Sequence, residues 1–167
     1  MSDVVELILA DHRKFEELMR GLRDAGADRA ERRAELSALL VAHAVAEEQE
    51  VYPKLRKRRA ASDDEIEHGE EEHAEINKAL LAFLELEDLD GDRYADTLEE
   101  LVETVNHHTN EEELTLLNDA RTELAQEERD RLGVAFRTAR DAQLETNCGR
   151  VENVRLLVGR TEHRVDD

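Results

Sequence analysis

The chain has one cysteine, Cys148, one proline, Pro53, and no tryptophan, and aromatic residues make up only 3% of it. A lone cysteine excludes a disulfide framework and a thiolate metal cluster. No run approaches the roughly 18 apolar residues of a membrane-spanning helix, and no charged-then-apolar signal segment opens the chain, so a cytoplasmic, reducing location is the expectation. Alternating β-branched runs are missing, which removes support for strands. Basic residues are the minority: 23 Lys and Arg face 43 Asp and Glu, for a formal charge of −20. Such a surface repels phosphate backbones and anionic lipid, setting aside nucleic acid and membranes as partners, and it draws in cations.

What remains is a helix-forming mixture dominated by Ala, Leu, Glu and Arg, in a chain of 167 residues that can bury a real core. A first helix is expected from a Ser2-Asp3 cap to about Asp24, with Val5, Ile8, His12, Phe15, Met19 and Leu22 in one lane and a turn at Gly26. A second runs from about Asp28 to Arg59, bent in its last turns because Pro53 lacks an amide proton. Ser62-Asp63-Asp64-Glu65 reads as a capping box for a third helix, with Ile66, His73, Ile76, Leu80 and Phe83 or Leu84 inward. After a turn at Asp88–Asp92 around Gly91, a fourth helix covers about Tyr94 to Leu124. A fifth is expected from Glu127 to about Asn147, carrying Leu132, Phe136, Ala139 and Gln143. Beyond Gly149 a short amphipathic piece (Val151, Val154, Leu157, Val158) leads into a polar tail, and the sequence leaves open whether it docks, pairs with another subunit or frays. The expected fold is all-α: an up-down-up-down four-helix bundle over residues 1–125, with an additional C-terminal helix and tail over 126–167, packed on the bundle or partly mobile.

Polar residues interrupt these apolar lanes at particular places. His43 and Glu47 lie one turn apart on the stripe Leu36, Leu40, His43, Glu47, Val51, and His108 and Glu112 repeat the arrangement on Leu98, Leu101, Val105, His108, Glu112, Leu116. His12 and His73 occupy core slots on the first and third helices. In antiparallel helices joined by a short turn, residues equidistant from the turn share a height. The midpoint between His12 and His43 falls at Ala27-Asp28, that between Glu47 and His73 at Ala60, and that between His73 and His108 at Asp90-Gly91; each lies on or beside a turn assigned independently from glycines and caps. Four histidines and two glutamates are therefore expected in one inward-facing layer.

Buried without partners, such groups are costly, and a pair of metal ions satisfies them well. Imidazole suits iron, zinc, copper or nickel, and two carboxylates can each bridge a metal pair about 3.5–4 Å apart. Two histidines cap each ion, and an added oxo or hydroxo bridge leaves one position open on each. This count favours two iron ions over tetrahedral zinc, with manganese or a mixed site compatible with the same donors. The candidate metal ligands are His12, His43, Glu47, His73, His108 and Glu112.

Neighbouring residues are read more plainly. His107 lies on the charged lane Glu100, Glu103, Glu111, and His68 on a lane with Glu72 and Glu75; both are expected on the solvated surface, as is His163. Glu48, Glu111 and Glu113 are expected to face solvent or to support ligands from outside. Tyr52 either lines the site or serves as core and hydrogen-bond partner, its distance from the layer favouring the structural role, and Cys148 is read as inert rather than as a redox switch.

The ordered pattern His12, His43-x-x-x-Glu47, His73, His108-x-x-x-Glu112, with "EEQEVYP" trailing the first pair, resembles the hemerythrin-like (HHE cation-binding) family over roughly residues 3–124. The resemblance implies a four-helix bundle holding a non-haem di-iron centre that binds oxygen, nitric oxide or peroxide. Oxygen carriers of that family place a second histidine four residues after the one on the third helix, where this chain has Asn77, and end in His-x-x-x-x-Asp rather than His108-x-x-x-Glu112. The four-His, two-Glu set is similar to that of bacterial iron-centre-repair proteins. The expected function is binding of, or reaction with, a small oxidant ligand in stress response or sensing. Two alternatives stand beside it: a peroxide-consuming or nitric-oxide-reducing enzyme, and a metal-free helical interaction module whose polar layer fixes register.

Overall fold

Asp3 begins the fold, its carboxylate accepting from the Val5 amide at 2.9 Å and capping helix α1 (Val4–Arg23). The second helix, α2 (Arg29–Ala46), continues through a π-helical turn (Glu47–Val51) into α3 (Tyr52–Lys57). Pro53 explains the interruption. It offers no amide to a helical ladder and its ring crowds the carbonyl four residues back, so the preceding turn widens and the Tyr52 amide reaches the Glu47 carbonyl instead. The bend expected from Pro53 is thus absorbed one turn earlier, at Glu47. Ser62 and Glu65 form the reciprocal capping box that opens α4 (Asp63–Leu84). Helix α5 (Asp92–Leu114) breaks at Thr115 and resumes as α6 (Leu116–Glu123), followed by α7 (Gln126–Glu145) and α8 (Val151–Val165).

This computed structural model describes residues 2–24 and 28–165, and all regular elements among them are helical, with no strand. The Gly26 turn and the Ala27 end of the first mirror point lie outside the described residues. The other two, Ala60 and Asp90-Gly91, fall in the connections after α3 and α4. Helices α1, α2, α4 and α5 pack around the bundle, with α1 against α2 and α5, and α4 against α5 and α2. Helix α7 lies against α1, α2 and the π turn, while α8 lies on α4. The piece after Gly149 is thus a helix running through Val165, with Val154 and Val158 turned inward.

Two apolar clusters divide the interior. One joins Phe15–Leu22, Leu36–Ala42, Ile76–Phe83 and Tyr94–Val105. The other joins Val4–Ile8, Val51–Leu55, Ile66, Leu116–Leu124, Leu132 and Phe136. The polar layer sits between them, sealed at both ends by hydrocarbon. The C-terminal helices are held tightly to this core: Ser37 Oγ donates to the Gly149 carbonyl at 2.6 Å, and a methyl group at Gly149 would lie 2.3 Å from the Ala38 nitrogen, so only glycine permits that approach. Cys148 is buried beside it with Sγ 3.3 Å from the Ala38 carbonyl, and burial pushes its thiol pKa up, away from the reactive thiolate.

Candidate metal centre

His12 comes from α1, His43 from α2, Glu47 from the first residue of the π turn, His73 from α4, and His108 and Glu112 from α5. None is more than 3% exposed. The structure brings all six together. Donor atoms of His12, His43, Glu47 and Glu112 lie within 4.8 Å of one another, as do those of Glu47, His73 and His108. Glu47 belongs to both groups: its Oε1 is 3.0 Å from His43 Nε2 and its Oε2 is 3.1 Å from His73 Nε2. Glu112 Oε2 spans the other side, 3.3 Å from His12 Nε2 and 3.6 Å from His108 Nε2.

All four imidazoles point Nε2 into the layer and Nδ1 outward, and each Nδ1 donates to a carboxylate on the neighbouring helix. Asp11 of α1 accepts from His43 at 2.9 Å, Glu48 of the π turn from His73 at 3.0 Å, Glu72 of α4 from His108 at 3.1 Å, and Glu113 of α5 from His12 at 2.9 Å. The contacts run once around the bundle and close on themselves. Their sequence logic is simple. In Asp11-His12, Glu47-Glu48, Glu72-His73 and Glu112-Glu113, one residue of each adjacent pair points inward, and the other, rotated about 100° around the helix, reaches the next helix. A carboxylate on Nδ1 fixes the ring's orientation and leaves the Nε2 lone pair free to bind a cation. Asp11 is itself held by Arg140 of α7 at 2.7 Å, so the C-terminal region reaches the layer through Arg140, Asp11 and His43. Phe136 of α7 adds an edge-on contact to the His43 ring, centroids 5.6 Å apart.

Glu48 and Glu113 lie outside the layer, hydrogen-bonded to His73 and His12. Asp11, Glu72 and Arg140 escaped the sequence reading because a carboxylate beside a histidine looks like ordinary surface charge until the next helix is in place. Tyr52 is buried in the core as a hydrogen-bond partner, but the distance from the layer that favoured a purely structural role is corrected: it lines the site. Its hydroxyl lies 3.2 Å from Glu112 Oε1 and 3.4 Å from both Glu47 Oε2 and His73 Nε2, and its ring stacks on His73. The widened turn before Pro53 accounts for this placement, since ordinary α-helical spacing from Glu47 does not. Room for the hydroxyl comes from Gly69, where a methyl group would stand 2.9 Å from it. A glycine in mid-helix, costing about 1 kcal/mol against alanine, was the available signal. His68 and His107 lie on the surface, as does His163.

The electrostatics of the protein atoms alone are those of charges crowded together. Burial opposes the imidazolium form of His43, but the Glu47 charge and the Asp11 hydrogen bond outweigh it and push the pKa up to about 10. His73 is likewise pushed up to about 10, burial being overcome by hydrogen bonds to Glu47 and Glu48. Burial works to raise the Glu47 pKa, yet His43 and His73 hold it well below the usual carboxylate range. Burial and the charges of Glu112 and Glu47 push the Tyr52 phenol well above its ordinary value, so it keeps its proton.

Hydrogen bonds within the protein do not satisfy this layer. His12 Nε2, His43 Nε2, His108 Nε2, Glu47 Oε1 and Glu112 Oε2 are all buried without a hydrogen-bond partner. These are five of the inward donor atoms; His73 Nε2 and Glu47 Oε2 face the Tyr52 hydroxyl instead. Ligand arms of about 2.1 Å set neighbouring donors about 3.0 Å apart at right angles and about 3.4 Å at tetrahedral angles, the range found between the histidines and Glu47. The donors present thus fit a cation well.

A helical bundle with a buried layer of imidazoles and carboxylates defines a cation-binding class of protein. The hemerythrin HHE cation-binding domain family model matches residues 3–120, which span all six of these residues, and the chain belongs to that family. No curated protein and no solved structure matched the chain closely enough to count as similar.

Proposed function

We propose that His12, His43, Glu47, His73, His108 and Glu112 hold two iron ions, and that the protein binds or reacts with oxygen, nitric oxide or peroxide in stress response or sensing. The observation that carries this reading is the pair of donor groups sharing Glu47, in which the inward atoms of His12, His43, His108, Glu47 (Oε1) and Glu112 (Oε2) are buried without hydrogen-bond partners. Iron bound there supplies redox and small-ligand chemistry; the chain supplies orientation, burial and charge. Glu47 directs one oxygen to each group, the ring of outer carboxylates fixes the imidazoles, and the two apolar clusters keep bulk water out. A cavity of about 10 Å³, lined by Phe15, Leu40, His43, Ile76, Asn77 and His108 among others, adjoins the layer. It has room for one water-sized molecule, which matches a diatomic ligand rather than an organic substrate. Asn77 lines it at the position where the oxygen carriers of this family have a further histidine. The setting we infer is the cytoplasm, where buried Cys148 stays a thiol, with residues 1–125 as the metal-holding unit and 126–167 as its support.

An enzymatic reading is favoured by one observation, the Tyr52 hydroxyl, a neutral proton donor 3.2 Å from Glu112. Nitric-oxide reduction to nitrous oxide takes up two protons with two electrons from a reductant, and disproportionation of hydrogen peroxide passes protons from one peroxide molecule to another, so a hydroxyl in this place serves either as a relay. Adding oxygen or nitric oxide to the reduced, iron-loaded protein distinguishes the readings: a reversible absorption change without turnover supports binding. Steady oxygen evolution from hydrogen peroxide, abolished by Glu47→Ala, supports the enzyme. No spectral response to any of the three ligands refutes both.

A further inference from the structure

The geometry points to a second cation site, on the surface, made by His68 and Glu72 of α4 with His107 and Glu111 of α5. Each helix presents a His-x-x-x-Glu pair to the other, one turn apart on neighbouring antiparallel helices. Donor atoms of His68, Glu72 and Glu111 lie within 4.8 Å of one another. His68 Nε2 is 2.8 Å from Glu111 Oε2 and 3.8 Å from Glu72 Oε2. His107 Nε2 is 3.4 Å from Glu72 Oε2 and 3.3 Å from Glu111 Oε1; it stands outside the mutual group of three, and as an exposed side chain beside both carboxylates it is the candidate fourth ligand. These separations bracket the edge of about 3.4 Å of a tetrahedron with arms of about 2.1 Å.

A solvated ion-pair cluster would show similar distances, but one atom sets this group apart. Glu72 Oε1 accepts from His108 Nδ1, which pins the carboxylate against the bundle and turns Oε2 toward His68 and His107. Oε2 is itself buried and has no hydrogen-bond partner. A carboxylate oxygen fixed in place, shielded from water and faced by two imidazole nitrogens is arranged for a shared cation. Two imidazoles and two carboxylates select a borderline divalent ion such as zinc over calcium or magnesium, which take all-oxygen sites. Binding displaces the proton between His68 and Glu111. The site stands whether or not the buried layer is loaded, although Glu72 connects the two.

Equilibrium dialysis of the full chain against buffered zinc tests it, comparing wild type with the double variant His68→Ala, His107→Ala. Both histidines are exposed, so the variant is expected to keep its helix content. Wild type should take up one equivalent more than the double variant, and Glu111→Gln should weaken that equivalent. The difference between the proteins reports the surface site, while total metal in the double variant reports the buried layer separately. Equal zinc uptake by wild type and double variant, with matching circular dichroism, overturns the assignment.

Discussion

Asp11→Asn keeps the shape of the side chain and removes its charge. It tests whether the ring of outer carboxylates serves metal binding. Asp11 accepts from His43 Nδ1 at 2.9 Å and from Arg140 at 2.7 Å, and it is 6% exposed, so water cannot readily replace it. Loss of a carboxylate behind a ligating histidine costs about 10–100-fold in metal affinity, or about 1.4–2.7 kcal/mol. The buried position, and the loss of the charge that Arg140 holds at 2.7 Å, place Asp11→Asn at the upper end. The same reasoning ranks the others. The Glu72 side chain is 11% exposed and should follow closely, whereas those of Glu48 and Glu113 are 41% exposed, and water can stand in for them at about 10-fold or less. Competition against a chelator of known affinity, on all four Asp→Asn or Glu→Gln variants, gives the order directly. Equal affinities across the set, or a larger loss at Glu113 than at Asp11, would refute the argument that burial sets the strength of this support.

Three further outcomes are expected. Gly69→Ala gains about 1 kcal/mol of helix propensity but crowds the buried Tyr52 hydroxyl, and overpacking of this kind costs about 1–3 kcal/mol; urea denaturation should show a net loss, and a more stable variant would mean that Tyr52 moves freely. Phe136→Ala removes a fully buried ring against His43 and should cost about 3–5 kcal/mol, so a loss below about 1 kcal/mol in the same assay would show that α7 is dispensable to the core. The metal-free protein should be most stable in mildly acidic solution. With His43 and His73 at about 10 when folded and about 6.5 when unfolded, their contribution is whole below pH 6.5 and fades as the pH rises toward 10. Glu47, depressed in the fold, contributes above about 4.3 and ceases to as pH falls through its lowered value. Thermal melts of chelator-treated protein that rise steadily from pH 6.5 to 10 would contradict this.

The inward set was legible in the sequence because it breaks a pattern. A histidine at position 12, 43, 73 or 108 stands where a helical lane calls for Leu or Val, and the turns fix the heights. Asp11 and Glu72 were not legible for the complementary reason: they break nothing in a chain with 43 acidic residues, and their partners come from another helix. Tyr52 was misplaced because the π turn shifts the register after Glu47 by one residue, and Pro53 alone signals a bend without saying where it falls. The docking of α7 and α8 depends on close approaches such as that at Gly149, which no periodicity reveals.

We propose that the layer takes up two cations through one shared carboxylate, Glu47. Elemental analysis of protein purified without chelator, beside Glu47→Gln prepared in the same way, tests that most directly. Two transition-metal ions per wild-type chain, chiefly iron, and loss of both ions from a variant that retains its helices, are expected. Wild-type protein without bound transition metal, or Glu47→Gln retaining both ions, would contradict it.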